Sequence, residues 1–311
     1  MNEYKFVRLD DDNLKDLLFL YKHAFNEVTD LSFLQKKYDT TFTGIKHVGF
    51  IAYHSSTNEP AAYYGVFPLK LEIGGKILIA AQSGDTMTHP THRGKGLFIK
   101  LATETYALAK NLGIEFIFGF PNSNSYPGFI NKLNWKHYSN INHYKLKGSG
   151  IPLDKIVKKI PAFSFLHNLV LPKRSLSQKD QFSNSLKLQS TSSGNVFHNT
   201  EFFQYKSYYP SFIIELEGVK CWVKIDGRMW IGDIDYCDEK KFNDVVNALI
   251  AFAKKKFCSS IVFSVLENSS YDLRLKNLAQ PNSSIAVGCL DLSGQYKPEN
   301  FAYQAGDFDT F

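Results

Sequence analysis

Residues 88–98 read Thr-His-Pro-Thr-His-Arg-Gly-Lys-Gly-Leu-Phe (THPTHRGKGLF), and the fold turns on this stretch. It follows an apolar run ending near Ala81 and precedes a helical pattern that runs from Leu97 to Leu112. A Gly-rich turn at a helix N-terminus presents backbone N–H groups without intrahelical partners at the positive end of the helix dipole. That is a seat for a phosphate or pyrophosphate. Gly94 and Gly96 allow close approach to the main chain, and Arg93 and Lys95 add positive charge, either in direct contact or as solvated turn residues.

Upstream, Tyr4–Leu9 reads as a strand, and Asp10–Asn13 offers caps for the helical pattern Leu14, Leu17, Leu18, Tyr21. Phe33–Tyr38 reads as a second short helix. Val48–His54, Ala61–Lys70 and Lys76–Gln82 follow as antiparallel strands, parted by the turn-rich Ser55–Pro60 and by Gly74-Gly75. Downstream, Leu97, Phe98, Leu101, Ala102, Thr105, Leu108, Ala109 and Leu112 keep the helical period, and Gly113 ends the helix. Ile114–Phe120 is almost continuously apolar, as a central parallel strand is. A dinucleotide-binding unit is excluded, because its glycines follow the first strand and are spaced differently.

This order resembles the GCN5-related N-acetyltransferase family, which transfers acyl groups from acyl-CoA to amines. Gly94 and Gly96 match the glycines of the family's R/Q-x-x-G-x-G/A signature, with Thr88, His89 and Pro90 as the preceding strand end. Thr91 departs from the pattern, standing where the family has Arg or Gln. Asn122 matches the Asn after the second strand, and Lys132, Leu133, Asn134 and Trp135 resemble the K-L-G-F that closes the next helix. The match covers roughly residues 1–146.

The resemblance implies an α/β (α+β) acyl-CoA N-acyltransferase fold with a mixed central sheet flanked by helices. Acetyl-CoA or another acyl-CoA is then the co-substrate, with no metal, held by Met87, Thr88, His92, Arg93, Gly94, Lys95, Gly96, Leu97 and Asn122. Pantetheine is expected between the edges of Gly84–Thr88 and Phe116–Phe120. Asn122 also reads as a helix cap. Aminolysis needs a base, for which Asp85 stands first and His89 second; a buried, paired Asp is the alternative. The family's acid, a Tyr, falls at Ile130, which leaves Tyr126 or release of the thiolate without a side-chain donor. The terminal carboxylate of Phe311 is a further base, against a tail simply packed in place.

The expected partner is a small-molecule amine. Phe25, Phe33, Tyr38, Tyr63, Tyr64 and Phe67 would wall an acceptor cleft, which suits an amino sugar, free or nucleotide-linked. Aminoglycosides, polyamines and peptide N-termini are alternatives, the polycations requiring Glu27, Asp30, Glu59, Glu72 and Asp85 to converge. A non-catalytic acyl-CoA-binding scaffold is another, favoured by Thr91 and Ile130.

The chain has 311 residues, enough for two cores, and 44% hydrophobic with 21% charged residues excludes global disorder. Residues 1–150 are read as the catalytic domain, 151–197 as a connector and 198–311 as a degenerate second copy. In that copy the strands Ser211–Leu216, Lys220–Ile225 and Arg228–Ile234, the helix Lys241–Lys256 and the strand Ser260–Leu266 repeat the layout without a glycine signature. Its Asp226-Gly227 turn reads as a hairpin.

A net charge of +6 suits anionic ligands, and short lysine clusters such as Lys254–Lys256 lack the stripe of a nucleic-acid binder. Four cysteines without a CxxC and no signal peptide point to the cytoplasm. His47, His54, His89 and His92 form no short metal-ligand pattern. No apolar run reaches bilayer-spanning length, although Leu153–Leu171 mixes lysines with large apolar residues and reads as a packed connector or a membrane-lying segment. Assembly into a homo-oligomer is compatible with this composition.

Overall fold

The meander around Gly74-Gly75 is present and longer than its sequence pattern indicated. Strands β3 (Pro60–Ile73) and β4 (Lys76–Thr88) pair antiparallel from Ile73 opposite Lys76 to Ala62 opposite Thr88. β1 (Tyr4–Arg8) and β2 (Val48–His54) extend the same sheet on the β3 side. These features come from a computed structural model, which describes residues 3–148, 194–235, 237–296 and 301–311. Its contacts form two compact units, Met1–Tyr138 with Ala286–Asn300, and Ser139–Ile285 with Phe301–Phe311.

In the first unit the helix expected after Asn13 is broken into a 3-10 turn (Leu14–Asp16), α1 (Leu17–Leu20) and one wide turn over Tyr21–Phe25, closed by left-handed Asn26. α2 (Leu31–Lys37) is capped by the Asp30 carboxylate on the Phe33 N–H. β4 leads through the Pro90–His92 turn into α3 (Leu97–Asn111), and β5 (Phe116–Gly119) then pairs parallel to β4. α4 (Tyr126–Lys132) follows. Leu101, Ala102, Thr105 and Ala109 of α3 are fully buried, most of them in a core shared with Val48, Ala62, Tyr64 and Trp135. A second core on the other face joins Leu14, Leu17, Leu20, Tyr21, Leu34 and Tyr38 to Tyr63, Phe67 and Met87.

In the second unit β7 (Gly194–Val196) and α5 (Thr200–Tyr205) precede the antiparallel strands β8 (Ser211–Leu216), β9 (Val219–Asp226) and β10 (Arg228–Ile234). α6 (Glu239–Lys255) leads to β11 (Ser260–Leu266), which lies parallel to β10. α7 (Ser270–Lys276) packs next, and β13 (Phe301–Ala302) pairs with β7. Phe242, Val245, Val246 and Leu249 of α6 fill the core over these strands.

The units are not the contiguous blocks 1–150 and 198–311. In β6 (Lys136–Lys147), residues 141–147 pair antiparallel with β11 and belong to the second unit. In β12 (Ser283–Asp291), residues 288–291 pair antiparallel with β5 and belong to the first. Each unit thus takes a strand from the other half of the chain. Within the expected connector, Gly194–Val196 form β7; the rest of its central part, including the membrane-lying alternative at Leu153–Leu171, lies outside the described residues. No described helix is long and apolar enough to cross a membrane. Cys221, Cys237, Cys258 and Cys289 are free and buried.

Candidate active site

Strands β4 and β5 part company soon after they meet. Only Ala80–Gln82 of β4 pairs with Phe116–Phe118, after which β4 runs on to Thr88. The separation therefore begins at Ser83, one residue before the edge expected on β4, and at Gly119, three residues into the edge expected on β5. A Cβ on Gly119 would stand 3.2 Å from that of Ser83 and 3.3 Å from the Trp135 ring, so glycine is what permits this contact.

One step on, β4 bulges. Tyr63 opposes Met87 and Gly65 opposes Gly84, leaving Asp85 and Thr86 across from Tyr64 alone. Asp85 adopts the left-handed conformation (φ 50°) and turns its side chain to the α1–α2 face. There Lys37 Nζ donates to Oδ1 at 2.7 Å, and the Tyr38 hydroxyl donates to Oδ2 at 2.9 Å. The Tyr21 hydroxyl donates to Oδ2 as well. Both members of the ion pair are buried, with 2% and 7% of the side-chain surface exposed. Burial, and then the Asp85 charge, hold the Tyr38 hydroxyl well above the usual phenol range.

In this geometry Asp85 is a buried, paired carboxylate, the alternative to a free base. Three donors, Lys37, Tyr38 and Tyr21, fill most of the lone-pair positions of its carboxylate. Removing either partner of such a pair costs about 3–5 kcal/mol. Asp85 is equipped to hold the bulge open, with partners drawn from the helical turn Tyr21–Phe25 and from α2 with its C-cap, Tyr38.

The phosphate turn has the expected form. His89 accepts from the Thr91 N–H and caps the Pro90–His92 turn. Gly94 (φ 76°) and Gly96 (φ 73°) are left-handed, with no atom within 4 Å of an added Cβ. Their requirement for glycine is thus conformational, not the close approach of a neighbouring side chain. Gly96 caps α3 without a side-chain hydrogen bond, and no acidic residue lies in the first turn. The opening N–H groups of α3, including that of Leu97, have no partner within the helix.

Of the side chains proposed for the cofactor, Arg93 is exposed, whereas Lys95 reaches Glu3 at 3.2 Å. Met87 and Leu97 are core residues, leaving only their main chain for a ligand. Thr88 pairs with Ala62 at the end of β4. His92 lies against Tyr4 and His54, with Nδ1 2.9 Å from the Tyr4 hydroxyl. Asn122 Oδ1 accepts from the N–H groups of Asn124 and Ser125, which is the cap alternative. Asn134 is left-handed (φ 58°), a conformation asparagine tolerates better than most residues, at the position where the resemblance has glycine.

Tyr126 opens α4, and its hydroxyl lies 3.1 Å from His137 Nδ1; Ile130 packs against the core. His89 stacks on Phe19 at 5.5 Å, with burial and the neighbouring His23 and His92 lowering its pKa. Among the described residues no group of three or more His, Cys, Asp or Glu side chains is arranged to hold a metal ion.

The expected aromatic wall is divided. Tyr38, Tyr63 and Phe67 are buried around Lys37 and Asp85, Tyr64 faces the α3 core, and Phe25 is 41% exposed. Asp30 and Asp85 are engaged in capping and in the ion pair, so the five carboxylates do not act as one group. Lys37 is a functional residue the sequence reading passed over. Its signal was its place between Leu34 and Tyr38 on the buried stripe of α2.

Phe311 lies in the second unit, its ring 4.8 Å from that of Trp222 and over Gly232. Side chains hold the preceding carbonyls in turn. Lys206 donates to Phe308, Tyr208 to Asp309 at 3.0 Å, and Lys224 to Thr310 at 2.6 Å. His198 sits between Asp307 (2.7 Å) and Asp233 (3.2 Å). Burial opposes its charge, but the two carboxylates, Asp307 first, outweigh this and push its pKa up to about 9. The tail is therefore packed, the alternative to a free catalytic end.

Residues 6–138 match the acetyltransferase (GNAT) domain family. No curated protein matches the chain by sequence. Among solved structures, the chain is similar to a GCN5-related N-acetyltransferase from Kribbella flavida, at 12% identity over 93% of this chain and 72% of that one, with a TM-score of 0.61. A GCN5-related N-acetyltransferase from Anabaena variabilis is similar at 12% identity over 93% and 73%, with a TM-score of 0.62. N-myristoyltransferase of Saccharomyces cerevisiae, solved with bound myristoyl-CoA, is similar at 13% identity over 93% and 83%, with a TM-score of 0.60. At such identities these structures establish the shared fold. Residues 6–138 match a GNAT acetyltransferase domain, and the chain shares its fold with these acyltransferases, which together support an acyl-CoA N-acyltransferase.

Proposed function

We propose that the first unit seats the diphosphate of acetyl-CoA or another acyl-CoA on the main chain of Arg93–Leu97 and transfers the acyl group to a small-molecule amine. The observation that carries this is the bare N-terminus of α3, beside a strand that outruns its parallel partner by six residues, Ser83–Thr88. Six residues unpaired on the β5 side span about 20 Å, enough to lie along a pantetheine arm. The yeast N-myristoyltransferase, which shares this fold, is solved with bound myristoyl-CoA, which supports an acyl-CoA as the ligand.

Within this reading Asp85 and Lys37 fix the bulge rather than exchange protons, and Tyr126 stays a candidate acid at the start of α4. The amine loses its proton to water or to a group that approaches with the acceptor. An acceptor with an apolar face, an amino sugar first, fits the exposed Phe25, Val28 and Leu31 beyond the Tyr21–Phe25 turn. A polycation is disfavoured, because two of its five carboxylate partners, Asp30 and Asp85, are already engaged.

The test is thiol release from acetyl-CoA over free and nucleotide-linked amino sugars, aminoglycosides, polyamines and peptide N-termini, with calorimetric binding of acetyl-CoA alongside. Turnover should be fastest on an amino sugar. Turnover confined to polyamines would remove the acceptor assignment, and binding without any turnover would mark an acyl-CoA-binding module.

A further inference from the structure

A line of buried polar atoms ends where β4 and β5 separate. Trp135 Nε1–H donates to the Tyr106 hydroxyl oxygen at 2.9 Å. That oxygen lies 3.0 Å from the Tyr64 hydroxyl, which lies 2.9 Å from Ser83 Oγ. Trp135 and Tyr64 are essentially inaccessible to solvent, and burial holds the Tyr106 hydroxyl well above the usual phenol range. Ser83 is half-buried and is the residue just past the last one that pairs with β5.

Counting protons gives this line a direction. An indole N–H only donates, so the Tyr106 oxygen must accept from it. The three hydroxyls then carry three protons for two remaining links, and one proton is surplus. If Ser83 donated inward, that proton would fall on the fully buried Tyr64 or the partly buried Tyr106, neither of which meets a further acceptor among the described residues. A buried donor left unmet is the costly arrangement. With Tyr106 donating to Tyr64 and Tyr64 to Ser83, the surplus lies on Ser83 Oγ, at the one end of the line that opens toward the parted strands.

We propose that Ser83 donates a hydrogen bond to the thioester sulfur of acyl-CoA, and that Trp135, Tyr106 and Tyr64 are positioning residues that point its proton there. This rests on the acyl-CoA reading above. It supplies a donor in a chain whose Ile130 stands where the family places a tyrosine. The line relays no proton, because the indole that starts it has none to give. As the amine nitrogen bonds to the acyl carbon, the C–S bond breaks and its electron pair leaves on sulfur. Ser83 stabilises that charge while keeping its own proton, and the proton shed by the nitrogen ends, through water, on the thiolate.

Titration of CoA and of desulfo-CoA against wild type, Ser83→Ala and Tyr64→Phe tests this. Ser83→Ala should weaken CoA by about three- to tenfold, the scale of one neutral hydrogen bond, and leave desulfo-CoA unchanged. Tyr64→Phe keeps the serine but frees its hydroxyl, and should lose part of the same preference; Tyr106→Phe serves if that variant does not fold. Equal weakening of both ligands by Ser83→Ala, or of neither, overturns the proposal. Wild-type protein that binds neither ligand would instead overturn the acyl-CoA reading on which it stands.

Discussion

Both units join a parallel strand pair by one helix, and they treat the start of that helix in opposite ways. α3 begins at Gly96 with no side-chain cap and no acid in its first turn. α6 begins at Asp238, whose carboxylate accepts from the Lys241 N–H at 2.8 Å, and Glu239 adds a second negative charge. The positive end of α6 is thus already neutralised by its own chain, whereas that of α3 carries no such charge. The strands differ likewise. Where β10 and β11 cease to pair beyond Ile231 and Phe263, Gln304 of the tail bridges to Val265. Only about 10 Å³ remains there, lined by Gly232, Asp233, Val265 and Gln304. On the proposed reading, the contrast teaches that one layout makes a cofactor seat or a closed structural unit, depending on whether the chain satisfies its own helix end and strand edge.

The contrast can be tested from both sides, and the largest effect belongs to the closure of the second unit. The pKa of His198 is raised to about 9 from the ordinary 6.5, so its stabilisation is fully present below pH 6.5 and is lost as pH rises through about 9. The displacement corresponds to roughly 3 kcal/mol. Amide exchange in Phe301–Phe311 should accelerate between pH 7 and 10, after correction for the intrinsic pH dependence of exchange, while α3 stays protected. Equal loss of protection in both units would show that His198 does not govern the tail.

Next comes the cofactor seat. Gly96→Asp puts at α3 the charge that α6 already carries, and aspartate tolerates the left-handed backbone better than most residues. Acyl-CoA affinity by calorimetry should fall about a hundredfold, near 3 kcal/mol. Unchanged affinity would mean that the diphosphate is held elsewhere. The smallest effect is the converse substitution. Asp238→Ala should cost about 1 kcal/mol in thermal unfolding through loss of the cap, and binding should stay at one acyl-CoA per chain. A second bound equivalent would show that the cap alone had kept α6 from acting as α3 does.

Periodicity and turn chemistry carried much of the fold. Gly74-Gly75, the stripe from Leu97 to Ala109, and the strands of the second unit from Ser211 to Leu266 all stand close to where the pattern put them. β6 escaped because Lys136–Lys147 is largely polar and lacks a clean alternation, and its strand character comes from pairing with β11, over a hundred residues away. β12 and the exchange of strands are equally products of distant pairing, which no local pattern records.

At the site the glycine turn was legible because left-handed φ demands a particular residue type. The environment of Asp85 was not. Lys37, Tyr21 and Tyr38 reach it from separate elements, and only the bulge at Asp85–Thr86 turns the carboxylate toward them. The hydroxyl line from Trp135 to Ser83 was hidden for the same reason: its four members come from two strands, a helix and a loop.

The strands lent across the sequence leave this protein without a seam. A fragment ending near residue 150 would lack Ala286–Asn300, and the side of β5 that β12 covers would become a raw edge open to aggregation. The remaining piece would lose β6, one of the two strands that pair with β11, in the same cut. Whatever separate ancestry the two halves had, neither can now be inherited, expressed or degraded as an independent module.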